Sequence, residues 1–486
     1  MERKNIYMCM LAALLSCSDS VKVSRTLDEM PVIFPDYNGV VIPPNIAPLN
    51  FALNDQDAGS CAVFSFGGQQ FEVKGEKGGF VIPPSKWKKL LESAAGNSIQ
   101  VTVQVKQGNE WVAYSPFTIQ VAAEKIDSYL AYRLIDPGYE LWNKMGIYQR
   151  DLESYTQTPI IENKMSGNNC VNCHSFCMQN PDKMLFHMRE TFPGTILVDG
   201  DKIEKLNTKT RETISSLVYP SWHPSGKYVA FSVNTTKQAF HLNDKNRVEV
   251  YDEASDVVVY DVEKHEIVTA STIFSKDAFE TFPTFSPDGK TLYFCTAEAR
   301  PIPQEYSEVK YNLCSISFDP ATRTFGTQVD TLYNAKSGGM SASFPRVSPD
   351  GRYLLYTLSG YGNFSIWHKD ADLYMTDLQT GTSRSLAEVN SDDVESYHSW
   401  SSNSHWFVFS SRRIDGLYTR PYIAYVGEDG KVGKPFLLPQ KDVGFYPSFM
   451  KSFNIPEFIT GKVKVQGRAL AIKAKEDKGT DVRFAK

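Results

Sequence analysis

The stretch YPSWHPSGKYVAF, residues 219–231, decides how this chain folds. An apolar run, a turn of proline, serine and glycine, and a second apolar run make a β-hairpin signature. The pattern returns as FPTFSPDGKTLYF at 282–294, FPRVSPDGRYLLY at 344–356 and YHSWSSNSHWFVF at 397–409, and YPSF at 446–449 opens a further copy. HSF at 174–176 aligns with the same slot, and PDKMLF at 181–186 with the turn and second strand. Between the aromatic markers Phe176 and Phe449 the units average about 55 residues, slightly longer than standard propeller repeats. Outer strands such as 257–261 and 372–377 bring each unit to four strands. The chain is therefore expected to be all-β, with a six-bladed β-propeller over residues 170–486. The last unit lacks its Asp-Gly turn, which leaves the manner of ring closure open.

The region before the repeats has a different texture. Residues 32–121 alternate apolar and polar in short runs, as in 61–66 and 99–105, broken by Gly, Pro and Asn. Period-two alternation of this kind predicts a small antiparallel sandwich, here an immunoglobulin-like domain over 31–125. Residues 126–169 read as a helical connector, with a short helix at 139–152 after Pro137-Gly138.

The connector leads into Cys170-Val171-Asn172-Cys173-His174, the C-x-x-C-H pattern of c-type haem attachment. Two thiols at this spacing can join the two vinyl groups of one porphyrin, and the following imidazole ligates the iron. With eight Cys and eight His in 486 residues, chance gives on the order of 0.002 such motifs. A zinc knuckle would need a second ligand pair, and no other C-x-x-C occurs. One covalent haem c is thus expected, with His174 as proximal ligand. For the far side of the iron, His241 and His398 are the leading candidates, followed by Met165, with an open, water-ligated iron as the alternative. His187 pairs across the hairpin, and cross-strand neighbours about 4.5–5.5 Å apart sit too close to reach both faces of one haem. Arg412 and Arg413 are candidates to clamp haem propionates by bidentate hydrogen bonds.

The N-terminus adds a second signal. Arg3 and Lys4 precede the apolar run 6–15, too short to span a bilayer and suited to a signal peptide at 1–16. Its end, Leu14-Leu15-Ser16-Cys17, resembles a lipobox, which implies lipid on Cys17 and a tether over 17–30 to an envelope membrane, on the periplasmic side or at the outer membrane. An ordinary cleaved signal with an incidental cysteine is the alternative. Net charge of -5 gives no basic footprint for nucleic acid.

The Ser-Pro-Asp-Gly-Lys hairpins at 286–290 and their copies resemble the WD40-like repeats of TolB-type propellers. That resemblance implies an envelope propeller, here one carrying a single haem motif. The leading expectation is a membrane-anchored, extracytoplasmic haem protein that transfers electrons at the mouth of its propeller to an unidentified redox or envelope partner. The alternative is a non-catalytic scaffold or ligand-binding propeller with a structural or sensory haem. No Ser/His/Asp arrangement or phosphate loop points to another enzyme class; an enzyme here would be a haem-dependent oxidoreductase.

Overall fold

The computed structural model describes residues 22–54, 59–136 and 144–485. Cys17 and the signal segment lie outside the described residues. Six four-stranded antiparallel units form successive blades. The inner strands of blades 2 to 6 are Cys170–Phe176, Leu217–Trp222, Ala278–Phe285, Ser341–Val347 and Glu395–Trp400. Blade 1 takes its inner strand from the far end of the chain: Ser452–Ile459 pairs with Tyr129–Ile135, followed outward by Gly146–Asp151 and Gln157–Glu162. Each inner strand packs beside the next, and Ser452–Ile459 packs beside Cys170–Phe176, closing the ring.

Two expectations change here. The propeller begins at Tyr129, not at 170, because the expected helical connector supplies three strands of blade 1. The alternation in Tyr129-Leu-Ala-Tyr-Arg-Leu-Ile135 buries Leu130, Tyr132 and Leu134 on one side and Ala131 and Arg133 on the other, a strand between two packed neighbours. Of the expected helix at 139–152, residues 146–151 are strand and 139–143 lie outside the described residues. The sixth inner strand is also not at 446–449, which falls in a helical turn, Phe445–Ser448.

The true sixth copy shows itself in the backbone. Every inner strand carries a β-bulge at one equivalent residue with positive φ: Cys173, Tyr219, Phe282, Phe344, Tyr397 and Ile455, all between 48° and 52°. The register breaks there in each blade. A bulge re-aims one side chain and bends the strand. Here it does so six times, so Ile455-Pro456-Glu457-Phe458 is the partner of Tyr219-Pro220-Ser221-Trp222.

Beyond the ring, helix Gly467–Ala474 packs on blade 1, and the tail then adds Thr480–Asp481 and Arg483–Phe484 as short parallel strands to the outer edges of blades 2 and 3. Residues 23–121 form a seven-stranded and a three-stranded sheet that share a core, Phe51 of the small sheet contacting Phe64 and Phe117 of the large one. The sandwich is mixed rather than purely antiparallel. It also carries a helix, Pro84–Ala94, that the alternation rule missed; Trp87, Leu90, Leu91 and Ala94 recur at helical spacing and are buried. This domain is welded to blade 6, with one apolar cluster running through both. Lys434 pairs with Asp36 at 2.7 Å, Tyr425 bonds Glu124 at 2.9 Å, and buried Asn50 donates to the carbonyls of Gln440 and Lys441.

Candidate functional site

The six bulges aim their side chains at the propeller axis. Tyr219, Phe282, Phe344 and Tyr397 meet there in a chain of ring contacts at 4.7, 4.0 and 5.0 Å, and Cys173 and Ile455 complete the collar. The collar divides the axial channel into two cavities. The upper one, about 620 Å³, opens among the loops that join second and third strands and is lined by Cys170, Asn172, His187, Arg133, Arg412 and Trp367. The lower one, about 160 Å³, is lined by Cys173, His174, Met178, Arg346, His398 and Glu457.

The C-x-x-C-H motif is the inner strand of blade 2 itself. Cys173 sits at the bulge with φ of 50°, its backbone N–H donating to Asn172 Oδ1 at 2.8 Å. Arg133 of blade 1 donates to the same Asn172 oxygen, so the neighbouring blade braces the motif. His174 is 3% exposed, and neither ring nitrogen makes a well-aligned hydrogen bond, the Ile455 backbone being the polar group beside it. Burial, and then the Arg133 charge, push its imidazole down to about 3, so it is neutral at any ordinary pH. Cys170 and Cys173 are buried free thiols, and burial pushes Cys170 up.

The residue types match a covalent haem, two free thiols and a neutral imidazole. The three groups open onto different spaces, however. Cys170 lines the upper cavity, while Cys173 and His174 line the lower one. His174 therefore lies on the side of the collar away from the loops that join second and third strands. Extended chain separates Cys170 from Cys173 by roughly 10 Å, and the bulge turns Cys173 inward below the loops.

The remaining expected site residues divide. His398, in the same repeat position as His174, lines the lower cavity with it and spends Nε2 on the Leu355 carbonyl at 3.1 Å. His241 lines neither cavity; it lies at the end of the long blade 3 hairpin, stacked on Tyr306 at 6.4 Å. Met165 packs against Gly467 of the C-terminal helix. Arg412 lines the upper cavity, whereas Arg413 is committed to Glu395 at 2.9 Å. Arg133 went unnoticed because it lay in the supposed connector; its strand-like alternation was the available signal.

No protein-family model matches the chain, and no curated protein matches it. Among solved structures, dipeptidyl peptidase 4 from Porphyromonas gingivalis is 12% identical, covering 66% of this chain and 53% of its own, with a TM-score of 0.31. The tricorn protease is 10% identical, covering 74% and 36%, with a TM-score of 0.28. Likenesses of this size say nothing of activity. The sheets themselves define the class: an all-β chain, a propeller joined to an N-terminal sandwich.

Proposed function

We propose that this chain is a lipid-anchored, TolB-like c-type haem protein of the cell envelope that passes single electrons to a redox partner. The observation that carries the reading is Cys170-Val171-Asn172-Cys173-His174 with a buried, neutral His174. The apolar run 6–15 and the lipobox-like Leu14-Leu15-Ser16-Cys17 support it as an expected export signal, since this attachment belongs outside the cytoplasm. Cys170 and Cys173 would hold the porphyrin and His174 the iron; the haem, when bound, supplies one-electron redox chemistry.

The chain's own residues prepare that role. Low dielectric around His174 keeps the imidazole unprotonated and available as a ligand. Arg133, through Asn172, orders the backbone at Cys173. The aromatic collar stands between the two axial cavities. Because the thiols open on opposite sides of the collar, this conformation does not present both to one porphyrin.

The test is direct. Protein exported in a host able to mature c-type cytochromes should stain for haem on a denaturing gel, and Cys170→Ala with Cys173→Ala should abolish the stain. A wild-type protein without covalent haem would overturn the proposal. A reduced-minus-oxidised spectrum taken with carbon monoxide then separates a six-coordinate electron carrier from an open iron. The non-catalytic alternative, a ligand-binding propeller, gains support from the upper cavity.

A further inference from the structure

We infer that the upper axial cavity is a binding site for a small oxyanion-bearing molecule, its carboxylate or phosphate group gripped by Arg412 and Arg133. The inference goes beyond the haem reading and does not need it. Arg412, on blade 6, is 3% exposed, and its Nε and Nη1 have no partner. Its guanidinium lies 3.2 Å from the centroid of the Trp367 ring, which fixes the plane of the fork. Arg133, on blade 1, is 7% exposed; its Nη1 and Nη2 donate to the side chains of Asn172 and Asn454, and its Nε is unpartnered. The two come from different blades and line the same cavity.

Such an arrangement is costly for the empty fold. A guanidinium out of water needs a counter-charge with hydrogen bonds, and neither Arg412 nor Arg133 forms an ion pair among the described residues. Burial pushes Arg412 down to about 9, which still leaves it charged at neutral pH, with Asp393 and Asp415 the acidic groups that oppose the shift. A planar carboxylate or a phosphate matches the donors of the arginine fork. The volume, about 620 Å³, suits a metabolite-sized ligand.

Charge around the entrance favours the same class. Arg189 also lines the cavity, with Asp136 and Glu190 as its acidic members. A smaller adjoining cavity shares Trp367 and Arg412 and adds Lys245, Arg247 and Lys369 against Asp393 and Asp415. Cations thus gather at this end of the axis in a chain of net charge -5. An anion would be steered there and held where water is scarce.

Two sources share this chemistry: a free organic acid or phosphate, and the propionates of the chain's own haem. Isothermal titration of full-length protein with citrate, succinate and inorganic phosphate tests the site. It is run on haem-loaded protein and on the Cys170→Ala/Cys173→Ala variant. Binding of one anion per chain to both forms identifies a free anion as the occupant; binding to the haem-free form alone identifies propionates. In either case Arg412→Gln should weaken binding about ten- to a hundredfold, and exposed Lys290→Gln should not. Arg133→Gln reads the same site should Arg412→Gln fail to fold. No binding to either form, or binding indifferent to both arginine substitutions, overturns the proposal.

Discussion

Replacing His174 with leucine should stabilise the haem-free protein, and this sign is the sharpest expectation of the structure. A neutral imidazole carries one donor and one acceptor, and the buried ring nitrogens of His174 have no well-aligned partner, only the Ile455 backbone beside them. An unmet buried polar group costs about 1–3 kcal/mol. Leucine removes both, adds apolar burial, and has the lower cavity of about 160 Å³ beside it to take its branch. Allowing for imperfect fit of the new branch, the net gain should be about 1–3 kcal/mol. His398→Leu is the internal comparison. His398 Nε2–H already donates to the Leu355 carbonyl, so its removal sacrifices a bond and the gain is smaller. Urea unfolding of the haem-free wild type and both variants measures the difference through the midpoint, provided the slope stays constant. In haem-loaded protein the order should reverse, because His174→Leu removes the iron ligand. A loss of more than about 1 kcal/mol on His174→Leu in the haem-free protein would refute the reasoning, since the contact with the Ile455 backbone would then be a full hydrogen bond.

Three further outcomes follow from the packing. Phe458→Ala should cost about 3–5 kcal/mol as a core deletion, because Phe458 is fully buried in the strand that closes the ring; Phe449→Ala, half-buried outside it, should cost less by the same unfolding measurement. Gly289 has φ of 73°, and a Cβ there would lie 2.1 Å from His223 Nε2. Gly289→Ala should therefore lower the melting temperature by more than the backbone cost of about 1–2 kcal/mol alone implies. Stability against pH should pass through a maximum. His187 and His398, buried and held neutral down to about 3, bind protons below their ordinary value near 6.5 only when unfolded, so stability is lost as pH falls from there toward 3. Burial raises Glu457 to about 8, so its folded carboxyl keeps a proton that the unfolded chain releases, and stability falls as pH rises toward 8. Melting curves across pH check both limbs, and Glu457→Gln should flatten the upper one.

Much of the propeller was legible because its repeats are local. In Ser286-Pro-Asp-Gly-Lys290, Ser286 Oγ bonds Asp288 at 2.5 Å and takes the N–H of Thr291, and Gly289 adopts the left-handed turn. Those contacts span five residues, so sequence spacing announces them. Ring closure was not local. Ser452–Ile459 reaches its partner Tyr129–Ile135 across more than 300 residues, and Ile455 stands where Tyr219, Phe282, Phe344 and Tyr397 put an aromatic ring in other copies. The neighbouring YPSF at 446–449 looked better by composition and folds as a turn. Likewise, Arg413 and Arg412 are adjacent in sequence, yet one pairs with Glu395 and the other lines the cavity without a partner.

By itself, then, the sequence determined the hairpin repeats, the all-β class, and the presence of two thiols and an imidazole at haem spacing, because each is written in residues a few positions apart. Only the tertiary structure decided that this motif is a propeller strand, since the bulge at Cys173 gains its meaning from five equivalents contributed by the other blades. It also decided which side of the collar each group faces. Cys170 opens upward beside Arg133 and Arg412, while His174 opens downward beside His398. That division depends on six side chains converging on one axis, a long-range consequence of ring closure that no local spacing encodes.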